Sequence, residues 1–303
     1  MRYLNPKADL TFKKVFGEHP NLVKSLLNAL LPFDSPEEEI EDLDYLTPEL
    51  VPDTPFKKNS IVDVRCRDKR GRQFIVEMQM LWSPAFMQRV LFNASKAYVR
   101  QLGGTEKYEL LQPVYSLNLV NDIFLPDLAE YYHDYRIVRM AHTDKVIEGL
   151  RFIFVELPKF TPHSYNEKKM QVLWLRYLTE IDEQTNQVPK DLLDNPEIHQ
   201  AVMQIEESAF SDAQLLGYDE FWDAVRVESA LVSDALKEGL AEGRAKGLAE
   251  GRAEGRAEGL AEGRAEGLAE GRLSTARNLK KMGVAPDTIA RATGLNLEEI
   301  EKL

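Results

Sequence analysis

Apolar residues recur at helical spacing in NLVKSLLNALLPF, where Leu22, Leu26, Leu27, Leu30 and Leu31 fall on one side and Pro32 ends the run. Residues 1–34 are therefore expected to be helical. The acidic stretch EEEIEDLDYLTPEL then turns extended and closes on a short strand. Residues 60–80, SIVDVRCRDKRGRQFIVEMQM, switch to a period of two around a tight turn, which predicts a β-hairpin. A helix follows from about Pro84 to Leu102, with Phe86, Val90, Asn93, Ala94, Ala97 and Gln101 along one face and Gly103-Gly104 ending it. PVYSLNLV at 113–120 reads as a buried strand, and YRIVRM and LRFIFVEL as two more. From about Glu167 to Leu236 the pattern is mostly helical. The order helix, strands, helix, strand predicts an α/β fold, a mixed α+β sheet flanked by helices.

Alternation assigns the faces of the hairpin. Val62, Val64 and Cys66 point one way, and Ile61, Asp63, Arg65 and Arg67 the other. In the second strand Phe74, Val76, Met78 and Met80 share a face, with Ile75, Glu77 and Gln79 opposite. Packing the apolar sets together brings Asp63, Glu77 and Gln79 to one side. A three-residue loop, Lys69-Arg70-Gly71 with Gly71 left-handed, pairs Asp68 with Arg72 and sets Asp63 opposite Glu77. A two-residue loop slips the register by one and turns Asp63 away. Like charges in that position cost up to about 1 kcal/mol. A divalent cation reverses the sign, because hard ions such as Mg²⁺ bind carboxylate oxygens, and it can activate water and stabilise phosphate charge. The competing reading leaves both carboxylates on a wet edge, paired with Arg65 or Lys57.

Composition narrows the setting. An apolar share of 44% with 29% charged residues is that of a folded, water-soluble chain. No apolar run is long enough for a membrane span, and MRYLNPKADL lacks the apolar core of a secretory signal. One cysteine, Cys66, fits a reducing compartment, so a cytoplasmic location is expected. The histidines are scattered without zinc-ligand spacing. A net charge of −12 argues against coating nucleic acid by bulk electrostatics, but the hairpin gathers Lys57, Lys58, Arg65, Arg67, Lys69, Arg70 and Arg72. The alternative is a solvated tip whose charges block pairing with other strands.

Three segments are expected: 1–236, a four-residue repeat of Ala, Glu, Gly and Arg or Leu at 237–273, and a tail at 274–303. The repeat has glycine at every fourth position from Gly239 to Gly271, a poor helix former alone but a surface on which two backbones can approach closely. It is expected to be either a helix that drives homo-oligomerisation, as a dimer or higher, or a linker. The tail resembles a small helix-turn-helix, but LNLEEIEKL is acidic and suits a cap or association knob better than a groove reader.

The motifs DLTFKKVFG at 9–17, SIVDVRCRDKRGRQFIVEMQ at 60–79, FMQRVLFNASKAYVRQLGGTEKYELLQPVYSLNLV at 86–120 and LRFIFVELPKF at 150–160 resemble the Rpn group. These are recombination-promoting nucleases and transposase-related proteins of the PD-(D/E)xK superfamily. The resemblance spans roughly residues 3–235. It implies that 1–236 is a restriction-endonuclease-like αβββαβ core with a helical C-terminal part, cleaving DNA with Mg²⁺ or another divalent cation in recombination or phage defence. Carried over, Asp63 and Glu77 hold the metal, and Gln79 completes the catalytic set where the superfamily has a lysine. A neutral amide lacks that ammonium charge. Val62 stands where the signature has proline. Asp9 either adds a third carboxylate to the metal or caps the first helix. Arg65, Lys57, Arg89 and Lys96 are the candidate DNA contacts. The two acidic candidates are hairpin neighbours without a distant acidic partner, which favours hydrolysis over strand transfer. Tyr98, Tyr108 and Tyr115 read as core, and Glu156 as a strand-end charge without catalytic role. The alternative function is a catalytically weak or inactive DNA-associated scaffold that oligomerises through its repeat.

Overall fold

The computed structural model describes residues 2–33, 35–50, 60–102, 107–162 and 169–303. Among the described residues eight strands form: β1 (Leu43–Tyr45), β2 (Glu49–Leu50), β3 (Ser60–Ile61), β4 (Val64–Asp68), β5 (Gln73–Gln79), β6 (Val114–Val120), β7 (Tyr132–Arg139) and β8 (His142–Glu156). Six of them make one mixed sheet in the order β1-β4-β5-β6-β8-β7; β2 and β3 pair separately. β5, β6 and β8 run parallel at its centre, and antiparallel strands complete both sides. Parallel neighbours need a crossover, and between β5 and β6 it is helix α3 (Pro84–Val99).

Period-two patterning decides the two faces. Phe74, Val76, Leu117, Leu119, Ile153 and Val155 turn to one side. There they meet α2 (Pro20–Leu30), α4 (Lys169–Glu180) and α6 (Pro196–Gln204), whose largest buried side chains are Trp174 and Tyr177. On the other side, Ile75 and Val114 pack under Ala94 and Ala97 of α3, while Val120 and Phe154 pack under its Phe86 and Val90. The apolar stripe predicted for α3 is thus its buried face, and Gly103-Gly104 lie outside the described residues. At the N-terminus, α1 (Asp9–Phe12) widens into a π-helical turn, Lys13–Gly17, before α2. Such turns displace a side chain from the ordinary helical path, and here the residue at its start is Lys13.

Two compact units divide the described chain, Met1–Ser229 and Ala230–Leu303. Both draw on α7 (Asp212–Lys281), so the change of composition near residue 237 lies inside a continuous helix. In the first unit, Tyr218 of α7 packs with Leu4, Ala8 and Phe210, with Phe221 and Trp222 against them. In the second, every residue from Gly239 to Gly271 of the glycine repeat is helical and exposed. Its end closes on α8 (Pro286–Thr293) and α9 (Leu297–Glu301) through Ala276, Ile289 and Ile300. Short α5 (Lys190–Leu193) links α4 to α6. No helix among the described residues is long and apolar enough to cross a membrane.

Candidate active site

The turn of the hairpin fixes everything beyond it. Gly71 takes φ +85°, the left-handed conformation that glycine adopts without strain. Asp68 accepts from the backbone N–H of Arg70 (3.0 Å) and Arg72 (2.9 Å), and its other oxygen accepts from Arg72 Nε at 2.7 Å. β4 and β5 then pair as Val64↔Val76, Arg65↔Ile75, Cys66↔Phe74 and Arg67↔Gln73, the register of a three-residue loop. Extended by one pair, this register sets Asp63 beside Glu77.

Asp63 itself departs from simple alternation. Pairing lapses at Val62 and Asp63, between β3 and β4. Val62 joins Ile75 on the α3 side instead of Val64 and Cys66 on the other, contrary to the expected face. The irregularity frees the Asp63 carboxylate from strand geometry, and Oδ2 accepts from the backbone N–H of Met78 at 2.7 Å.

Glu77 stands in β5 between β4 and β6, opposite Asn118, with α3 above it. It is only 5% exposed. Its Oε1 accepts from Asn93 Nδ2 at 3.2 Å. Asn93 is buried too, and its Oδ1 has no partner among the described residues. Burial raises the Asp63 pKa, an effect that the Met78 N–H and the Lys13 charge reduce. Glu77 is pushed up to about 8, first by burial and then by the Asp63 charge, against the opposing pull of Arg89, Asn93 and Lys13. Two adjacent acids in a dry place disfavour joint ionisation. The carboxylates of Asp63 and Glu77 are hard oxygen donors of the kind a divalent cation such as Mg²⁺ takes, and the Asn93 amide at Glu77 carries a further oxygen that nothing among the described residues engages. Among the described residues no three acidic, histidine or cysteine side chains gather into a metal-holding group.

The remaining predicted residues scatter. Asp9 is held by Lys13 at 2.7 Å, near enough to Asp63 to add to its pKa rise but not part of the pair. Gln79 lies two residues beyond Glu77 on the same strand and bonds to Arg89 of α3 at 2.7 Å. Arg65 reaches along the sheet to Gln73 (2.8 Å) and Thr47 O (3.4 Å). Lys96 donates to Leu50 O and lies over the Phe92 ring. Lys57 falls outside the described residues. The basic hairpin is largely spent on the protein itself: Arg72 is buried with Asp68, Lys69 pairs with Asp42, and Arg70 donates to Glu37 O.

Pattern reading missed Asn93 and Lys13 as site neighbours. Asn93 had a visible signal, since within α3 it is the one polar side chain on a buried stripe otherwise made by Phe86, Val90, Ala94 and Ala97. Lys13 had none, because its approach depends on the π-helical turn.

A mixed sheet between helical layers, with an acidic pair where a hairpin meets the central parallel strands, is a PD-(D/E)xK-like core. The family model described as PD-(D/E)XK nuclease family transposase matches residues 6–234. The chain belongs to that family. No curated protein and no solved structure matches it.

Proposed function

We propose that this protein is a divalent-cation-dependent DNA endonuclease whose site is Asp63, Glu77 and the residues around them. The observation that carries the reading is the adjacent acidic pair, Glu77 buried and Asp63 half-buried, beside the orphaned oxygen of Asn93. A fold has no structural use for two adjacent carboxylates that oppose each other's ionisation, whereas a cation site requires them. When bound, a divalent cation supplies Lewis acidity to a phosphate oxygen and makes water a better nucleophile. Asp63 and Glu77 would hold it, with Asn93 Oδ1 within the same donor set. Asp9 could join only by exchanging its Lys13 partner. The reaction is hydrolysis: the water oxygen bonds to phosphorus, the bond from phosphorus to the leaving oxygen breaks, and a proton of that water ends on the leaving oxygen. Recombination or phage defence is the setting proposed for this activity, and the single cysteine, Cys66, suits a cytoplasmic one.

The test is plasmid cleavage by wild type and Asp63→Ala, each with Mg²⁺ and with chelator. Wild type is expected to nick or linearise only with the metal, and the variant to lose at least about a hundredfold in rate. Equal nicking by both proteins would remove Asp63 from the mechanism. A wild type that binds but does not cut supports the scaffold reading, which the net acidity and the missing lysine keep open.

A further inference from the structure

The superfamily lysine contributes a positive charge beside the carboxylates, and no lysine occupies that place here. We propose that Arg89 supplies the charge at the scissile phosphate, and that Gln79 is the residue that positions it. This inference rests on the nuclease reading above.

The geometry consists of two rungs between β5 and α3. Glu77 and Gln79 are two apart on one face of the strand, while Arg89 and Asn93 are four apart on one side of the helix. Asn93 meets Glu77 at 3.2 Å, and Arg89 meets Gln79 at 2.7 Å. The Gln79 amide is locked in one orientation. Its Nε2 donates to Leu81 O at 2.7 Å, so its Oε1 is left to accept from Arg89 Nη2. A third contact, the Phe86 ring 4.9 Å beneath the guanidinium, completes the seat.

What remains of Arg89 faces outward. Of its five N–H donors one is used by Gln79, and no other group among the described residues bonds to it. An exposed, planar cation with spare donors suits a phosphodiester oxygen pair. Its charge already reaches the acidic pair, where it opposes the pKa rise of both Asp63 and Glu77. The other nearby cations are less free. Lys13 is paired with Asp9, and Lys96 is tied to Leu50 O. A lysine at 79 would lose the acceptor and add a like charge beside Arg89. Glutamine is therefore the residue that the arrangement needs.

A charge transfer between the two positions tests this. Single-turnover cleavage with Mg²⁺ should fall by about a hundredfold in Arg89→Gln, and less in Arg89→Lys. Gln79→Lys alone should gain nothing. Gln79→Lys combined with Arg89→Gln should regain at least about tenfold over Arg89→Gln, because the charge is restored from the other side. Duplex affinity in chelator, read by fluorescence anisotropy, should weaken only as one lost phosphate contact requires. A loss confined to affinity with the cleavage step unchanged, or no recovery in the double variant, overturns the catalytic role. Positioning has a separate readout: the Arg89 Nε–H NMR signal should be ordered in wild type and motionally averaged in Gln79→Ala. Unchanged order there overturns Gln79's role. If wild type never cleaves, the nuclease reading and the catalytic role fall together, while the NMR comparison still decides the contact.

Discussion

Two buried glutamates in one sheet face opposite fates. Glu156, fully buried at the end of β8, accepts from the N–H groups of Phe124 (2.6 Å) and Leu125 (3.1 Å), from Lys159, and lies 2.9 Å from His133 Nε2. Burial raises its pKa, but these bonds outweigh burial and hold it below the ordinary value. Glu77 has one amide donor and an acidic neighbour, and burial wins. The signs of the pH effect are therefore opposite. The folded Glu77 pKa is raised, so its stabilisation is complete below its ordinary 4.5 and is lost as pH rises through about 8. Without metal, Glu77→Gln should melt several degrees above wild type near about pH 9, and the difference should fade near about pH 5. The folded Glu156 pKa is lowered, so its contribution is present above the unfolded value and lost as pH falls. Glu156→Gln should cost about 2–3 kcal/mol at neutral pH, and less in acid. Thermal denaturation across pH checks both variants.

Among the elements, the hairpin is where sequence reasoning and structure meet most closely. Gly71 and the period-two faces of β4 and β5 define the register without tertiary information, because turn length and alternation admit one solution. Gly71→Ala should destabilise the protein by about 1–2 kcal/mol in urea unfolding. The positive φ is the main cost, and the new Cβ would also stand 3.1 Å from Gln112 Cγ, a flexible side chain. The lapse at Val62–Asp63 was not legible, since it arises where Val62 packs under α3 and strand periodicity cannot anticipate a partner from another element. The basic cluster misled for a related reason. Composition registers seven positive charges but not that Asp68, Asp42 and backbone carbonyls already engage Arg72, Lys69 and Arg70. Of the candidate site, the acidic pair and Gln79 could be read from spacing, while Asn93, Lys13 and the Gln79–Arg89 bond required the helices.

On the scale of the molecule, the glycine repeat is the element with least internal support. Its nine glycines each cost a helix about 1 kcal/mol relative to alanine, and apart from the helix's own backbone nothing among the described residues lies within 4 Å of where their Cβ atoms would be. Leu240, Leu248, Leu260 and Leu268 are exposed along the same stretch. Self-association through the glycine and alanine columns would offset these costs by covering that surface. Truncation after Leu236 should then lower the number of chains per particle measured by light scattering; an unchanged number would rule out assembly through the repeat. A four-residue period on a 3.6-residue helix drifts by about 40° per repeat, so the paired surface would wind right-handed.

The same repeat has a consequence for inheritance. Because the repeat units are alike and exposed, and none of their residues belongs to a core cluster among the described residues, gaining or losing one alters the helix by about 6 Å without removing a core contact there. In-frame slippage during replication would therefore yield offspring chains that still fold. Span becomes a trait that a lineage can adjust one unit at a time, whereas one residue more in the turn at Gly71 would shift the register that sets Asp63 beside Glu77.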